Sequence, residues 1–71
     1  MKKLFSEFYD FKLCLYNNER VIIENYKTVV NIEDNSIHID NVVILGNFLK
    51  IIKLDNIKVE IIGDIHEISL I

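Results

Sequence analysis

The sequence predicts a single small all-β domain: an antiparallel meander of about seven or eight short strands, arranged as a barrel or a sandwich. Three observations lead to this prediction. From residue 11 onward, apolar residues alternate with polar ones, as in half-buried strands. Pairs of Asp, Asn and Gly interrupt the alternation at the regular intervals that hairpin turns require. The chain has 71 residues, 51% of them hydrophobic, and no linker composition divides it, so residues 1–71 form one domain.

Residues 1–9 differ from the rest and predict a short N-terminal helix or arm. Their apolar side chains, together with the first one that follows, fall at helical spacing: Leu4, Phe5, Phe8 and Phe11. Ser6 and Glu7 interrupt this apolar stretch, and no small-residue cleavage site follows it. We therefore expect no secretory signal and a cytoplasmic protein.

The apolar pattern on both sides of the first turn predicts the length of its loop. A two-residue loop after Leu15 would oppose apolar to charged residues, whereas a three-residue loop pairs Leu15 with Val21 and Leu13 with Ile23. Asn17 lies in that loop, and asparagine tolerates the left-handed backbone that such a loop needs. We predict the three-residue loop.

The remaining strands are predicted to be joined by one four-residue polar turn at residues 33–36 and by four two-residue turns. Those four turns are Asp40-Asn41, Gly46-Asn47, Asp55-Asn56 and Gly63-Asp64. The pairs expected across them are Ile39 with Val42, Ile44 with Leu49, Leu54 with Ile57, and Ile61 with His66. A faint repeat relates residues 44–48 to residues 61–65.

Strand 48–54 carries a conflict between two of these hairpins. The turn before it places Leu49 and Ile51 on the core side, whereas the turn after it places Ile52 and Leu54 there. Either the strand bends or bulges between two sheet faces, or its second face is covered by the N-terminal helix or by another subunit. The candidate interaction face comprises Val43, Leu45, Phe48 and Ile52. A protein partner or a homo-oligomer is therefore expected.

Composition argues against several classes of function. Eleven acidic and eight basic residues give a net charge of −3, so we expect no nucleic-acid partner. One cysteine, Cys14, cannot form an internal disulfide framework or a cysteine-rich zinc module. No apolar run reaches the roughly 18 residues that a membrane-spanning helix needs.

No catalytic pattern is visible, so we expect neither an enzyme nor a cofactor, metal or small-molecule substrate. His38 and His66 would have to meet Asp34, Asp40 or Asp64 to form a metal or acid–base site, and nothing in their spacing requires it. Surface or interface positions suit both histidines better.

Two alternatives stay open at this point. One is a small ligand-binding β-barrel, with an enzyme as its less favoured variant, whose pocket is lined by Tyr16, Tyr26, His38 or His66. The other is peripheral membrane attachment through the apolar side chains of residues 4–11 together with Lys2 and Lys3.

Four stretches resemble the YabP/YqfC family of bacterial sporulation proteins, and the resemblance covers roughly residues 11–71. Residues 19–27, ERVIIENYK, resemble the family's "IENy" element, and IHI at 37–39 continues the likeness. VILGNFLKI at 43–51 matches its "l.I.G..L.I" pattern, and EIIGDI at 60–65 matches its closing "v.I.G.I". This chain departs from the family at Asp40-Asn41, where a longer strand and a glycine-containing turn are usual, and around Asn17, where a glycine is expected.

The resemblance implies a process rather than a reaction. It implies a non-catalytic protein of endospore-forming Firmicutes that takes part in envelope, coat or cortex assembly around the forespore. It further implies a protein partner among the membrane proteins of the same programme, and a cytoplasmic location that is peripheral at the forespore envelope.

Overall fold

The computed structural model describes residues 11–71, which form one open antiparallel sheet of six strands in the order β1-β2-β6-β5-β4-β3. The strands are β1 (Lys12–Tyr16), β2 (Arg20–Glu24), β3 (Val29–Ile32), β4 (Ser36–Ile39), β5 (Val42–Leu54) and β6 (Lys58–Leu70). The predicted all-β class is confirmed, whereas the sheet is not a closed barrel. The helix or arm predicted for residues 1–9 lies outside the described residues.

The three-residue loop of the first hairpin is confirmed. Leu15 lies opposite Val21, and Leu13 lies opposite Ile23. Asn17 has a φ of 53°, which is the left-handed conformation that asparagine adopts at little cost. The turn thereby places alternate residues of β1 and β2 on the same side of the sheet.

The turn at Asp40-Asn41 also has the predicted pairing. Ile39 lies opposite Val42, and Ile37 lies opposite Ile44. The polar turn before it is confirmed as well, because Ile32 pairs with Ile37 across residues 33–36.

The turns predicted at Gly46-Asn47 and Gly63-Asp64 are wrong. Both glycines lie inside the 13-residue strands β5 and β6, where Asn47 lies opposite Asp64. Glycine is needed there for close approach, because an added β carbon at Gly46 would lie 2.1 Å from the Asp64 carbonyl oxygen. Two predicted turns thus become strand interior, and six strands replace the predicted seven or eight.

The hairpin near Asp55-Asn56 is confirmed, but its register is displaced by two residues. Leu54 pairs with Val59 rather than with Ile57. The Asp55 side chain causes the difference: its Oδ1 accepts hydrogen bonds from the backbone N–H groups of Ile57 (2.9 Å) and Lys58 (2.8 Å). A side chain that bonds two and three residues ahead moves the tight turn one residue further along the chain.

The strand registers give the molecule an internal pseudo-two-fold symmetry. The hairpin β1–β2 lies beside the first part of β6, and the hairpin β3–β4 lies beside the first part of β5. The loop of each hairpin bonds the middle of a long strand in the same way. The Ile65 N–H donates to the Asn18 carbonyl (2.9 Å), and the Leu49 N–H donates to the Asp34 carbonyl (2.7 Å). The faint sequence repeat places Gly46 and Gly63 at equivalent positions, because their N–H groups donate to the Asn35 and Glu19 carbonyls of the two hairpin loops.

The core takes equal numbers of residues from the two halves. Its members are Ile37, Ile39, Val42, Ile44 and Leu49 in one half, and Val21, Ile23, Val59, Ile61 and Ile65 in the other. The Cα atoms span 41 × 22 × 22 Å, whereas a flat sheet would be only a few ångströms thick. The sheet is therefore curled around this apolar cluster, and we call the opposite side its outer face.

Candidate interaction surface

Two irregularities in β5 resolve the conflict on strand 48–54. The pairing of β5 with β6 shifts between Asn47 and Lys50, and again between Ile51 and Lys53. Each bulge inserts an unpaired residue and changes which side chains face the core. The interpretation that this strand bends or bulges between two faces is therefore the one that the structure adopts.

The first bulge projects Phe48 into solvent. The Phe48 side chain is 86% exposed, and its backbone has a φ of 56°. For a bulky non-glycine residue this conformation costs about 1–2 kcal/mol. Gly63 lies opposite the bulge, and a β carbon there would lie 2.9 Å from the Phe48 carbonyl oxygen. The glycine in β6 thus leaves room for the backbone that displays the aromatic ring.

The other predicted members of the interaction face are spread along β5. Val43 and Leu45 are half-buried on the outer face, opposite Ser69 and Glu67 of β6. Ile52 lies at the second bulge and is 45% exposed. Val43 and Leu45 therefore share one patch, whereas Phe48 and Ile52 are presented separately by the two bulges.

Further exposed apolar side chains lie outside the predicted interaction face. They are Val30, Ile32, Leu54, Ile57, Leu70 and Ile71, each at least half exposed. For Leu54 the sequence does contain a signal: the Asp55 side chain can bond residues two and three positions ahead, which moves the turn and pairs Leu54 with Val59 rather than with Ile57.

The outer face beside β2 is charged rather than apolar. Arg20 Nε lies 3.2 Å from Glu60 Oε2, and the Glu60 side chain is only 14% exposed. Lys53 of β5 lies opposite Glu60 on the other side of β6. At the sheet edge, the hydrogen bond with Cys14 is the main cause that raises the pKa of Tyr16. The alternation of Arg20, Glu60 and Lys53 across neighbouring strands stabilises this solvated face of the sheet.

The two histidines lie apart, and only His66 meets an acidic partner. His66 Nε2 lies 3.1 Å from Asp64 Oδ2 and 3.4 Å from Asn47 Nδ2. Because one ring nitrogen serves both contacts, it donates to the carboxylate or accepts from the amide in any one tautomer. His38 lies on β4 opposite Val43. Residues 11–71 contain no group of three or more His, Cys, Asp or Glu side chains arranged to hold a metal ion.

The side chains of the predicted ligand pocket do not converge. Tyr16 lines an open groove with Arg20, and His66 lines a different open groove with Leu15. The Tyr26 hydroxyl donates to the backbone carbonyl of Asp55. No polar or charged side chain of the described residues is buried in the core.

Comparison of the chain with protein-family models, with curated proteins and with solved structures finds no match. The likeness to the YabP/YqfC family thus depends on the sequence motifs alone.

In residues 11–71 there is no helix with the length and apolar character to span a membrane.

Proposed function

We propose that this protein is a non-catalytic β module that works by association, as a structural or adaptor component of forespore envelope, coat or cortex assembly. Its partner is a second protein or another copy of the chain. A membrane protein of the sporulation programme is the first candidate, with the module bound peripherally on the cytoplasmic side. The motifs shared with the YabP/YqfC family support the process, and the exposed apolar side chains support the mode of action.

The observation that carries the proposal is the display of Phe48. This side chain contributes little to the monomer core, since 86% of it is exposed. Its left-handed backbone, with a φ of 56°, nevertheless costs stability that glycine or asparagine would not. Strained residues of this kind persist where they serve binding rather than folding, and exposed aromatic side chains are frequent anchors of protein interfaces.

The test compares partner capture by the wild-type chain and by Phe48→Asn in sporulating cells of the source organism. Asparagine tolerates the backbone conformation, so the variant removes the aromatic ring without disturbing the bulge. Ile57→Asn is the matched control, because Ile57 is also exposed, at 58%, but lies in the turn between β5 and β6. We expect cross-links to other proteins to be lost in Phe48→Asn and kept in Ile57→Asn.

Equal capture by wild type and both variants would show that Phe48 does not take part in the interface. The absence of any cross-linked partner for the wild-type chain, together with normal spores in a deletion strain, would contradict the proposed function itself.

A further inference from the structure

Each long strand leaves half of one edge without a neighbouring strand among residues 11–71. β5 pairs with β4 only as far as Leu45, and its last contact on that side is the Leu49 N–H bond to the turn before β4. β6 pairs with β2 only as far as Ile62, and its last contact on that side is made by Ile65. Residues 50–54 and 66–70 therefore present backbone groups that no described residue pairs, and such groups template the addition of another strand.

These two half-edges carry opposite charges on the outer face. The 50–54 edge has Lys50 and Lys53, which lie opposite Ile62 and Glu60 of β6. The 66–70 edge has Glu67 and contains no lysine or arginine, whereas residues 50–54 contain no acidic residue. Pairing either edge with its own copy would bring like charges together, whereas pairing one edge with the other brings opposite charges together.

Both half-edges are apolar on the core side. The 50–54 edge carries Ile51 and Leu54, the latter 52% exposed, and the 66–70 edge carries Ile68 and Leu70, the latter 82% exposed. If the two edges were neighbours, these side chains would extend one apolar surface across the junction. Burial of such side chains contributes about 25 cal/mol per Å² of apolar area removed from water.

We propose that the 50–54 edge of one copy binds the 66–70 edge of the next, so that copies of this chain join head to tail into an open row. The inference rests on the proposed function, which holds that the protein works by association, and it names a second copy as one partner. The contact is heterologous, and therefore each added copy leaves one edge of each kind free. With about five residues on each side, a single contact is small, and assembly is expected to be weak and dependent on concentration.

Sedimentation velocity of the full chain, from about 10 μM to about 1 mM in low salt, tests this assembly directly. The expected result is a weight-average mass that rises with concentration beyond two copies and falls when salt is added, because screening weakens the charge pairing. A mass fixed at one copy, or one that levels off at two copies, would overturn the inference.

Charge-reversal variants test whether the 50–54 edge of one copy meets the 66–70 edge of the next. We expect Lys50→Glu and Glu67→Lys each to raise the concentration needed for assembly by about tenfold, a change of about 1.4 kcal/mol per contact. The double variant restores opposite charges and should assemble within about threefold of wild type. Lys27→Glu and Glu33→Lys reverse exposed charges that belong to neither half-edge and should assemble like wild type. Single variants that assemble as well as wild type, or a double variant that does not recover, would contradict the pairing.

Phe48→Asn separates this inference from the proposed function. Under the proposed function, replacement of Phe48 should abolish capture of other proteins. Because Phe48 lies in neither half-edge, the same replacement should leave the growth of the row unchanged. Growth without any captured partner would support the row while contradicting the adaptor role. Capture without growth would support the adaptor role and overturn the row.

Discussion

Gly46 and Asp64 lie so close that a β carbon at Gly46 would stand 2.1 Å from the carbonyl oxygen of Asp64. The contact marks the place where the two long strands cross the pseudo-two-fold axis of the sheet. On the other side of the axis, a β carbon at Gly63 would lie 2.9 Å from the Leu49 Cα atom. Both glycines of the chain thus allow the close approach of β5 and β6. Their N–H groups also donate hydrogen bonds to the loops of the two short hairpins.

Gly46→Ala is therefore expected to destabilise the fold by about 2–4 kcal/mol, because the obstructing atom is backbone and moves only if the strand moves. Chemical denaturation measures this free energy of unfolding. Lys50→Ala on the same strand is the control, since Lys50 is exposed, and it should cost less than about 0.5 kcal/mol. Equal stability of the two variants would mean that β5 and β6 do not approach as closely at Gly46.

Replacement of Phe48 should instead raise stability. Phe48→Asn relieves the left-handed strain at a φ of 56° while losing little buried area, and we expect a gain of about 0.5–1 kcal/mol. Thermal unfolding of dilute protein measures it, under conditions that keep the chain monomeric. Ile57→Asn, at a position without a positive φ, should show no gain. A Phe48→Asn variant less stable than wild type would show that the ring is packed rather than displayed.

The local parts of the fold could be predicted from the sequence. The three-residue loop at Asn17 and the turn at Asp40 follow from apolar matching between neighbouring strands, which is a short-range property. The two glycines could not be interpreted in the same way. Gly46 followed by Asn47 has the composition of a hairpin turn, and only its close approach to Asp64, 18 residues away, makes it strand interior.

The candidate interaction surface was likewise predictable only in part from the sequence. The apolar excess of β5 was visible in the residue pattern, and Phe48 was among its predicted members. The degree to which each side chain is exposed depends on the bulges at residues 47–50 and 51–53. These bulges depend on how β5 and β6 pair along their whole length, and alternation within one strand does not reveal them. The half-edges at 50–54 and 66–70 likewise became visible only from the strand order.

Asp40 ties the connection before β3 to the turn after β4. Its Oδ1 accepts from the Thr28 N–H at 2.7 Å, and the Lys27 N–H lies 3.1 Å from each carboxylate oxygen. The Asp40 N–H in turn donates to the Thr28 carbonyl (2.9 Å), and Asp40 has a φ of 52°. Both its side chain and its backbone conformation therefore stabilise this end of the sheet.

Three substitutions of Asp40 separate these two contributions. Asparagine keeps an acceptor oxygen and the left-handed backbone, so Asp40→Asn should cost the least. Asp40→Gly keeps only the backbone conformation and should cost about 1–2 kcal/mol. Asp40→Ala loses the bonds and also strains the backbone, which adds about 1 kcal/mol. Denaturation of the three variants gives this order, and an alanine variant as stable as the asparagine variant would contradict it.

The Asp55 carboxylate predicts that the stability of the fold depends on pH through the turn between β5 and β6. The backbone N–H groups of Ile57 and Lys58 bond its carboxylate and hold the pKa of Asp55 below the ordinary value of 3.8. The fold therefore favours the ionised form. The resulting stabilisation is fully present above pH 3.8, and it is lost as the pH falls through the lower pKa of the folded chain.

Asp55→Asn is the matched control, because its Oδ1 accepts the same two hydrogen bonds without a charge. The stability difference between wild type and this variant should stay constant from neutral pH down to pH 3.8 and shrink below it, while all other carboxylates cancel in the comparison. Carbon-detected NMR titration of the Asp55 carboxyl group should give a midpoint below 3.8. A midpoint at or above that value, or a stability difference that persists unchanged in acid, would show that the two N–H groups do not stabilise the charge.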